Sequence, residues 1–207
     1  MRANSVRAMA VLAALALAAH ACSGGGGGGG GPTPPQFGTV SGQVTAAGAG
    51  VPGVTVGVQG GASTTTDAAG VYTIANVATG ARTVAITLPN GFITATLGEQ
   101  TTQNVNVSAN QTATASWTLK RGVIVTAAGT SFTPADVTIS VGQTVRWVNE
   151  GGVHTVTPSN PGQAGVWADA PLGANSAFEH TFAVASVYPY VCQPHQAAGM
   201  TGSVTVQ

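Results

Sequence analysis

Charge is nearly missing from this chain. Six Lys and Arg and six Asp and Glu are spread over 207 residues, so there is no basic stripe to follow a nucleic-acid backbone. Two of the basic residues, Arg2 and Arg7, stand at the extreme N-terminus. Without them, four (Arg82, Lys120, Arg121, Arg146) face six acidic residues, a net of −2. That balance argues against nucleic acid as a partner. Aromatics are also scarce, at 5% against 43% apolar residues. The apolar content therefore rests on small and β-branched side chains punctuated by glycine, which points to an all-β chain. Cysteine occurs only as Cys22 and Cys192. Cys22 precedes a glycine run and Cys192 lies near the C-terminus, so a bridge between them would staple no core. Long apolar runs are missing as well: Met9 to Ala19 is too short to span a bilayer.

That short run has a purpose of its own. Arg2 and Arg7 precede it and Ala19-His20-Ala21 follows it, the layout of an export leader cleaved after Ala21. Cys22 then becomes the first mature residue, followed by Ser23 and eight glycines. The arrangement resembles a bacterial lipoprotein leader, which implies a lipid on Cys22 and a periplasmic or cell-surface location. Residues 22–36 read as a tether, flexible through the glycines and stiffened by Pro32-Thr33-Pro34-Pro35. As a random coil it reaches roughly 20–25 Å.

The remaining length fits two domains. In residues 37–120, apolar residues alternate at Val40 to Ala46, at Val54, Val56 and Val58, and at Val84, Ile86 and Leu88. Val105 and Val107, then Trp117 and Leu119, continue the period of two, and Gly, Asn, Asp and Pro clusters separate the runs. Short alternating strands at such spacing predict an antiparallel β-sandwich. The stretches Val40-Ser41-Gly42-Gln43-Val44, Val51-Pro52-Gly53-Val54-Thr55-Val56 and Thr66-Asp67-x-x-Gly70-x-Tyr72-x-Ile74 resemble the carboxypeptidase regulatory-like family. The resemblance implies a transthyretin-like sandwich serving as a spacer. Asp67 is expected to accept hydrogen bonds from its own turn. Lys120-Arg121-Gly122 marks the boundary to a second segment, 121–207, where Val123 and Val125, Val137, Ile139 and Val141, Val145 and Trp147, and Val204 and Val206 repeat the alternation.

The chemistry lies in this second segment. Cys192, His195 and Met200 share one run, Cys192-Gln193-Pro194-His195-Gln196-Ala197-Ala198-Gly199-Met200, and His154 lies 38 residues upstream of Cys192. A thiolate, two imidazoles and a thioether are the ligands of a blue-copper electron-transfer site, the thioether being the weak axial one. Tyr188, Tyr190 and Cys192 fall on one face of a strand, so tyrosines in the core aim the cysteine inward. The chain then turns through Pro194 to present His195 and Met200, while His154 opens another strand after Gly151-Gly152. Zinc is the poorer fit, because Met is a poor zinc ligand and copper stands above zinc in the stability order. The Cys–His pair has no orienting Asn or Asp in matching context, so nucleophilic catalysis is not expected. His180, on Phe178-x-His180-x-Phe182, reads as structural, as do Trp147, Tyr188 and Tyr190.

Phe132-Thr133-Pro134-x-x-Val137-x-Ile139-x-Val141-Gly142-x-Thr144-Val145-x-Trp147-x-Asn149, His154-Thr155-Val156 and Tyr188-Pro189-Tyr190-Val191-Cys192-x-Pro194-His195 together resemble the plastocyanin-like cupredoxins. The Cys-x₂-His-x₄-Met spacing is that of plastocyanin and pseudoazurin. The resemblance implies a C-terminal Greek-key cupredoxin sandwich. It also implies one type 1 copper, cycling between Cu(I) and Cu(II), on His154, Cys192, His195 and Met200. The protein would then be an electron carrier between redox partner proteins and not an enzyme, with the His195 edge among Pro194, Ala197 and Ala198 as the electron port. Val191 stands where plant plastocyanin has a tyrosine, and acidic residues are sparse, so photosynthetic partners are not implied. The alternative is an exported protein that binds or buffers copper without carrying electrons.

Overall fold

The computed structural model describes residues 34–163 and 166–207. The leader 1–21, Cys22 and the tether through residue 33 lie outside the described residues. The described chain is all-β, and its only helical pieces are the short 3-10 turns Pro161–Gln163 and Gln193–Ala198.

The alternation read from the sequence builds a first core. Val40 and Val44 from Phe37–Ala46, Val56 and Val58 from Thr55–Val58, Tyr72 and Ile74 from Val71–Ala78, and Val84 and Ile86 from Gly80–Thr87 turn inward together. They pack with Trp117 and Leu119 in one buried cluster. One layer is a four-stranded sheet in the order Ser63–Thr65, Thr55–Val58, Gly80–Thr87, Thr102–Val107. The other is built on Phe37–Ala46, paired antiparallel with Val71–Ala78 and parallel with Thr112–Thr114. The Tyr72 hydroxyl donates to the Ala115 carbonyl at 2.7 Å, and burial pushes its pKa up to about 12. Asp67 Oδ1 accepts from the Ala69 and Val71 amides at 2.9 and 2.8 Å. Its carboxylate is therefore committed to the turn, as the sequence suggests.

A second core gathers the residues from Val125 to Val206. Its five-stranded sheet runs Asp136–Ile139, Thr201–Val206, Ser186–Val191, His154–Pro158, Ala170–Leu172. Facing it, Trp117–Ala128 pairs antiparallel with Ser131–Thr133 and parallel with Thr144–Asn149, which in turn pairs with Ala177–Thr181. Trp147 centres the core, stacked on Phe178 at 5.6 Å between centroids and edge-on to Tyr190 at 5.4 Å. His180 packs on Trp167 and Phe182, and burial draws its pKa below the usual 6.5. Val141 departs from the expected alternation. Its strand ends at Ile139, and the residue sits 50% exposed before the Gly142 turn.

Both halves share the strand Trp117–Ala128. Trp117 to Leu119 pair in parallel with Val44 to Ala46, and Gly122 to Ala127 pair in parallel with Thr144 to Asn149. Leu119 belongs to the first cluster and Val125 to the second, so the chain passes from core to core inside one strand. Phe92–Thr94 covers the crossing: Arg121 pairs with Phe92 in register and lies over its ring at 4.1 Å. Arg146, buried, donates to Thr94 Oγ1 (2.7 Å), the Thr94 carbonyl (2.9 Å) and Glu179 Oε2 (2.9 Å), while Lys120 pairs with Glu179 from the other side. Gly122 has no room for a side chain, since a Cβ there would lie 2.5 Å from the Thr144 carbonyl oxygen and 2.9 Å from Ile93 Cδ1. Gly122→Ala is expected to cost about 1–3 kcal/mol through overpacking. Thermal unfolding would record this as a fall of roughly 2–10 °C in Tm.

Candidate metal centre

Strand geometry delivers the donors. In Ser186–Val191 the residues Tyr188 and Tyr190 are buried, and Cys192, at the strand's end, is 0% exposed. The Tyr190 hydroxyl donates to the Ala135 carbonyl at 3.0 Å, and burial pushes its pKa up to about 12. The ring is thus a fixed brace two residues before the cysteine. After Cys192 the chain winds through the 3-10 turn Gln193–Ala198 and leaves it at Gly199, whose φ of 80° is left-handed and suits glycine. The loop clasps itself. The Cys192 amide donates to the Met200 carbonyl at 3.0 Å, and the Met200 amide donates to the His195 carbonyl at 3.2 Å. Met200 is buried in the same cluster as Cys192.

His154 arrives from the neighbouring strand His154–Pro158, at the end of a turn held by Asn149. The Asn149 Oδ1 accepts from the Gly151 amide at 2.8 Å, and its Nδ2 lies 2.9–3.0 Å from the Gly152, Leu172 and Gly173 carbonyls. The His154 Nε2 is 2.9 Å from the Gly151 carbonyl. A carbonyl only accepts, so Nε2 carries the proton and Nδ1 keeps a free lone pair. That Nδ1 lies 3.6 Å from Cys192 Sγ, and the His195 Nδ1 lies 3.4 Å from the same sulfur. All three donor atoms fall within 4.8 Å of one another. Bonds of roughly 2.0–2.3 Å to a single ion place neighbouring donors roughly 3.4–3.8 Å apart, so these side chains fit one metal ion. Two are buried, and His195 is half-exposed.

Asn149 and Thr155 belong to the pattern that carries the cupredoxin resemblance, but the sequence assigns neither a role at the site. Thr155 Oγ1 accepts from the Gln193 amide at 2.9 Å and so ties the His154 strand to the first residue of the ligand loop. Thr157 donates its hydroxyl to the same oxygen at 3.1 Å. The sequence signal for Asn149 was its place just before Gly151-Gly152, where a short polar side chain commonly caps a turn. Above the histidines lies a shallow depression whose walls include Ala128, Gly129, Glu150 and Val153.

Comparison with known proteins points to the same half of the chain. A family model described as copper binding proteins, plastocyanin/azurin family, matches residues 120–207. A plastocyanin from Scenedesmus fuscus is 38% identical over 84 residues, 37% of this chain and 86% of that protein. A halocyanin from Natronomonas pharaonis is 38% identical over 90 residues, covering 41% of this chain and 55% of that protein. Among solved structures, a purple cupredoxin from Nitrosopumilus maritimus is 25% identical and matches 41% of this chain and 99% of its own, at a TM-score of 0.36.

Proposed function

Because this chain belongs, through residues 120–207, to the plastocyanin/azurin family of copper-binding proteins, we propose that it is a blue-copper electron carrier whose metal ligands are His154, Cys192, His195 and Met200. The observation that carries this reading is the buried Cys192 sulfur with an imidazole Nδ1 on either side, at 3.4 and 3.6 Å. When bound, copper supplies a one-electron couple between Cu(I) and Cu(II), with Cys192 and the two histidines as strong ligands and Met200 as the weak one. The protein's own residues do the rest. His154 is held in one tautomer by the Gly151 carbonyl, the ligand loop is clasped backbone to backbone, and the aromatic core keeps water from the sulfur. Ligands that barely move need little rearrangement when charge changes. His195 is the donor nearest solvent, and the depression over the histidines is where an electron enters and leaves.

The first sandwich is read as a transthyretin-like spacer, and Cys22 as the lipidated residue that holds an exported protein at a membrane surface. The tether would then set the reach, and the partners would be redox proteins met at that surface or beyond it.

The test is a Cu(II) titration of the mature chain followed by redox cycling. An intense blue band that saturates at one equivalent, bleaches on reduction and returns on reoxidation with copper retained is the expected result. Copper that moves to an apo-acceptor on reduction would instead make the protein a copper buffer. Thr155→Val removes the acceptor of the Gln193 amide and is expected to weaken copper binding by about tenfold, as measured by competition with a chelator.

A further inference from the structure

A cleft of about 800 Å³ opens beside the strand that passes from one core to the other. Ala46 and Leu119 line it from the first sandwich, Thr144 and Thr181 from the second, and Phe92 from the strand over the crossing. Its lining is mostly alanine, proline and larger apolar side chains. Pockets of this size at domain boundaries, apolar with a few polar groups, are the usual seats of small molecules. Most of the polar side chains here are already engaged. The Thr144 and Thr181 hydroxyls bond each other at 2.8 Å, and Lys120 is paired with Glu179.

Arg121 is the exception. Of the four Lys and Arg beyond residue 7, three (Lys120, Arg121 and Arg146) stand at this crossing. Arg146 is divided between Thr94 and Glu179, and Lys120 shares the same carboxylate. Arg121 lines the cleft, is exposed, and forms no salt bridge among the described residues. Its guanidinium lies over the Phe92 ring at 4.1 Å, which braces it without taking its charge. No Asp or Glu is among the described residues lining the cleft. Glu99, four residues beyond Ala95, accepts from the Thr96 amide instead. An apolar cleft with one uncompensated, braced guanidinium at its lip matches an anionic head on an apolar body.

We propose that this cleft binds a small amphipathic carboxylate, with its head on Arg121 and its body against Leu119, Phe92 and the neighbouring alanines. Guanidinium and carboxylate match as two planar forks, and hydrogen bonds between opposite charges are the strong ones. The body adds affinity by taking apolar surface out of water. An inorganic anion lacks that body, and a neutral alcohol lacks the charge that Arg121 answers. The site is separate from the metal centre. Thr144 and Asn149 are the two ends of one strand, about 16 Å apart by strand rise, and Asn149 holds the turn before His154. The proposal therefore does not rest on the electron-carrier reading.

The test is a titration of the full chain with sodium octanoate, followed by calorimetry and by amide shifts in nuclear magnetic resonance. Saturable one-to-one binding is expected, with the shifts concentrated at Phe92 and at Leu119 to Arg121. Butyrate, four methylenes shorter, and octanol, without the charge, should each bind at least about tenfold more weakly. Arg121→Gln should weaken octanoate by about tenfold or more while the chain melts within a few degrees of the parent. Arg121→Lys keeps the charge without the fork and should lose severalfold; it carries the test alone if glutamine disturbs the fold. Shifts scattered over the surface, octanol binding as tightly as octanoate, or an affinity indifferent to both variants overturns the site. So does a visible spectrum of the copper-loaded chain that moves with octanoate, since the carboxylate would then be on the metal. A dimer in light scattering whose contact covers Phe92 and Arg121 overturns it too, because a second copy would be the occupant.

Discussion

Cys192→Ala is expected to abolish the intense visible band and the narrow copper hyperfine pattern completely, while the chain stays folded. Both effects follow from where the sulfur sits. Its polar neighbours are the Nδ1 atoms of His154 and His195, at 3.6 and 3.4 Å, so no strand or turn depends on it. Its backbone amide, which closes the loop onto Met200, is retained in alanine. The metal-free variant should therefore melt within a few degrees of the metal-free parent. The copper-loaded proteins should differ sharply. Ligand binding stabilises by RT ln(1 + [L]/Kd), about 4 kcal/mol at a thousandfold excess over Kd. Without the thiolate two imidazoles and a thioether remain, and most of that increment is lost. Visible and electron-resonance spectra, recorded with melting curves plus and minus copper, check both halves. A retained blue band would overturn the ligand assignment.

Arg146→Ala is expected to cost about 3–5 kcal/mol, the range for breaking one side of a buried ion pair. The guanidinium holds Thr94 Oγ1, the Thr94 carbonyl and Glu179 at once, so truncation opens a hole where the two cores meet, takes a donor from Thr94 and leaves Glu179 with Lys120 alone. Arg146→Met should lose less, because an apolar chain of similar length refills part of the space. Denaturant midpoints at pH 7 give the ranking. The pH dependence adds a sign. Burial alone would raise the Glu179 pKa, but the hydrogen bonds and charges of Lys120 and Arg146 outweigh it and hold the carboxyl below its usual 4.5. A carboxylate with a depressed folded pKa contributes stability that is complete above its unfolded pKa and is lost as pH falls through the folded one. The parent should therefore weaken as pH drops below about 4.5, and Arg146→Ala should flatten that decline. An equal slope in both proteins would remove Arg146 from the account.

These two sites also mark where the sequence was legible and where it was not. Tyr188, Tyr190 and Cys192 could be placed on one buried face because a strand repeats every two residues. The spacing from Cys192 through His195 to Met200 could be read because a single loop carries all three. Alternation likewise located both cores, since Val40 and Val44, or Val145 and Trp147, need no distant information to turn inward. Val141 failed because periodicity does not show where a strand stops, and here the Gly142 turn ends it early. Arg146, Glu179 and Lys120 were illegible for another reason. Their partners lie 33 and 59 residues apart, and nothing local announces the meeting. Asn149 and Thr155 act through hydrogen bonds to backbone groups, whose positions exist only once two turns have folded.

The parallel pairing of Phe37–Ala46 with Trp117–Ala128 has a mechanical consequence. Suppose the metal-binding half is held while the chain is drawn away from Phe37. The load then enters at Phe37 and leaves through Trp117–Ala128, along the axes of strands that lie side by side. Hydrogen bonds between strands stand across that axis, so Val44 to Ala46 against Trp117 to Leu119, and Phe37–Ala46 against Val71–Ala78, are loaded in shear and must yield together. A hairpin pulled from its open end would instead unzip one bond at a time. This chain is therefore expected to resist extension by force far better than its thermal stability alone would indicate.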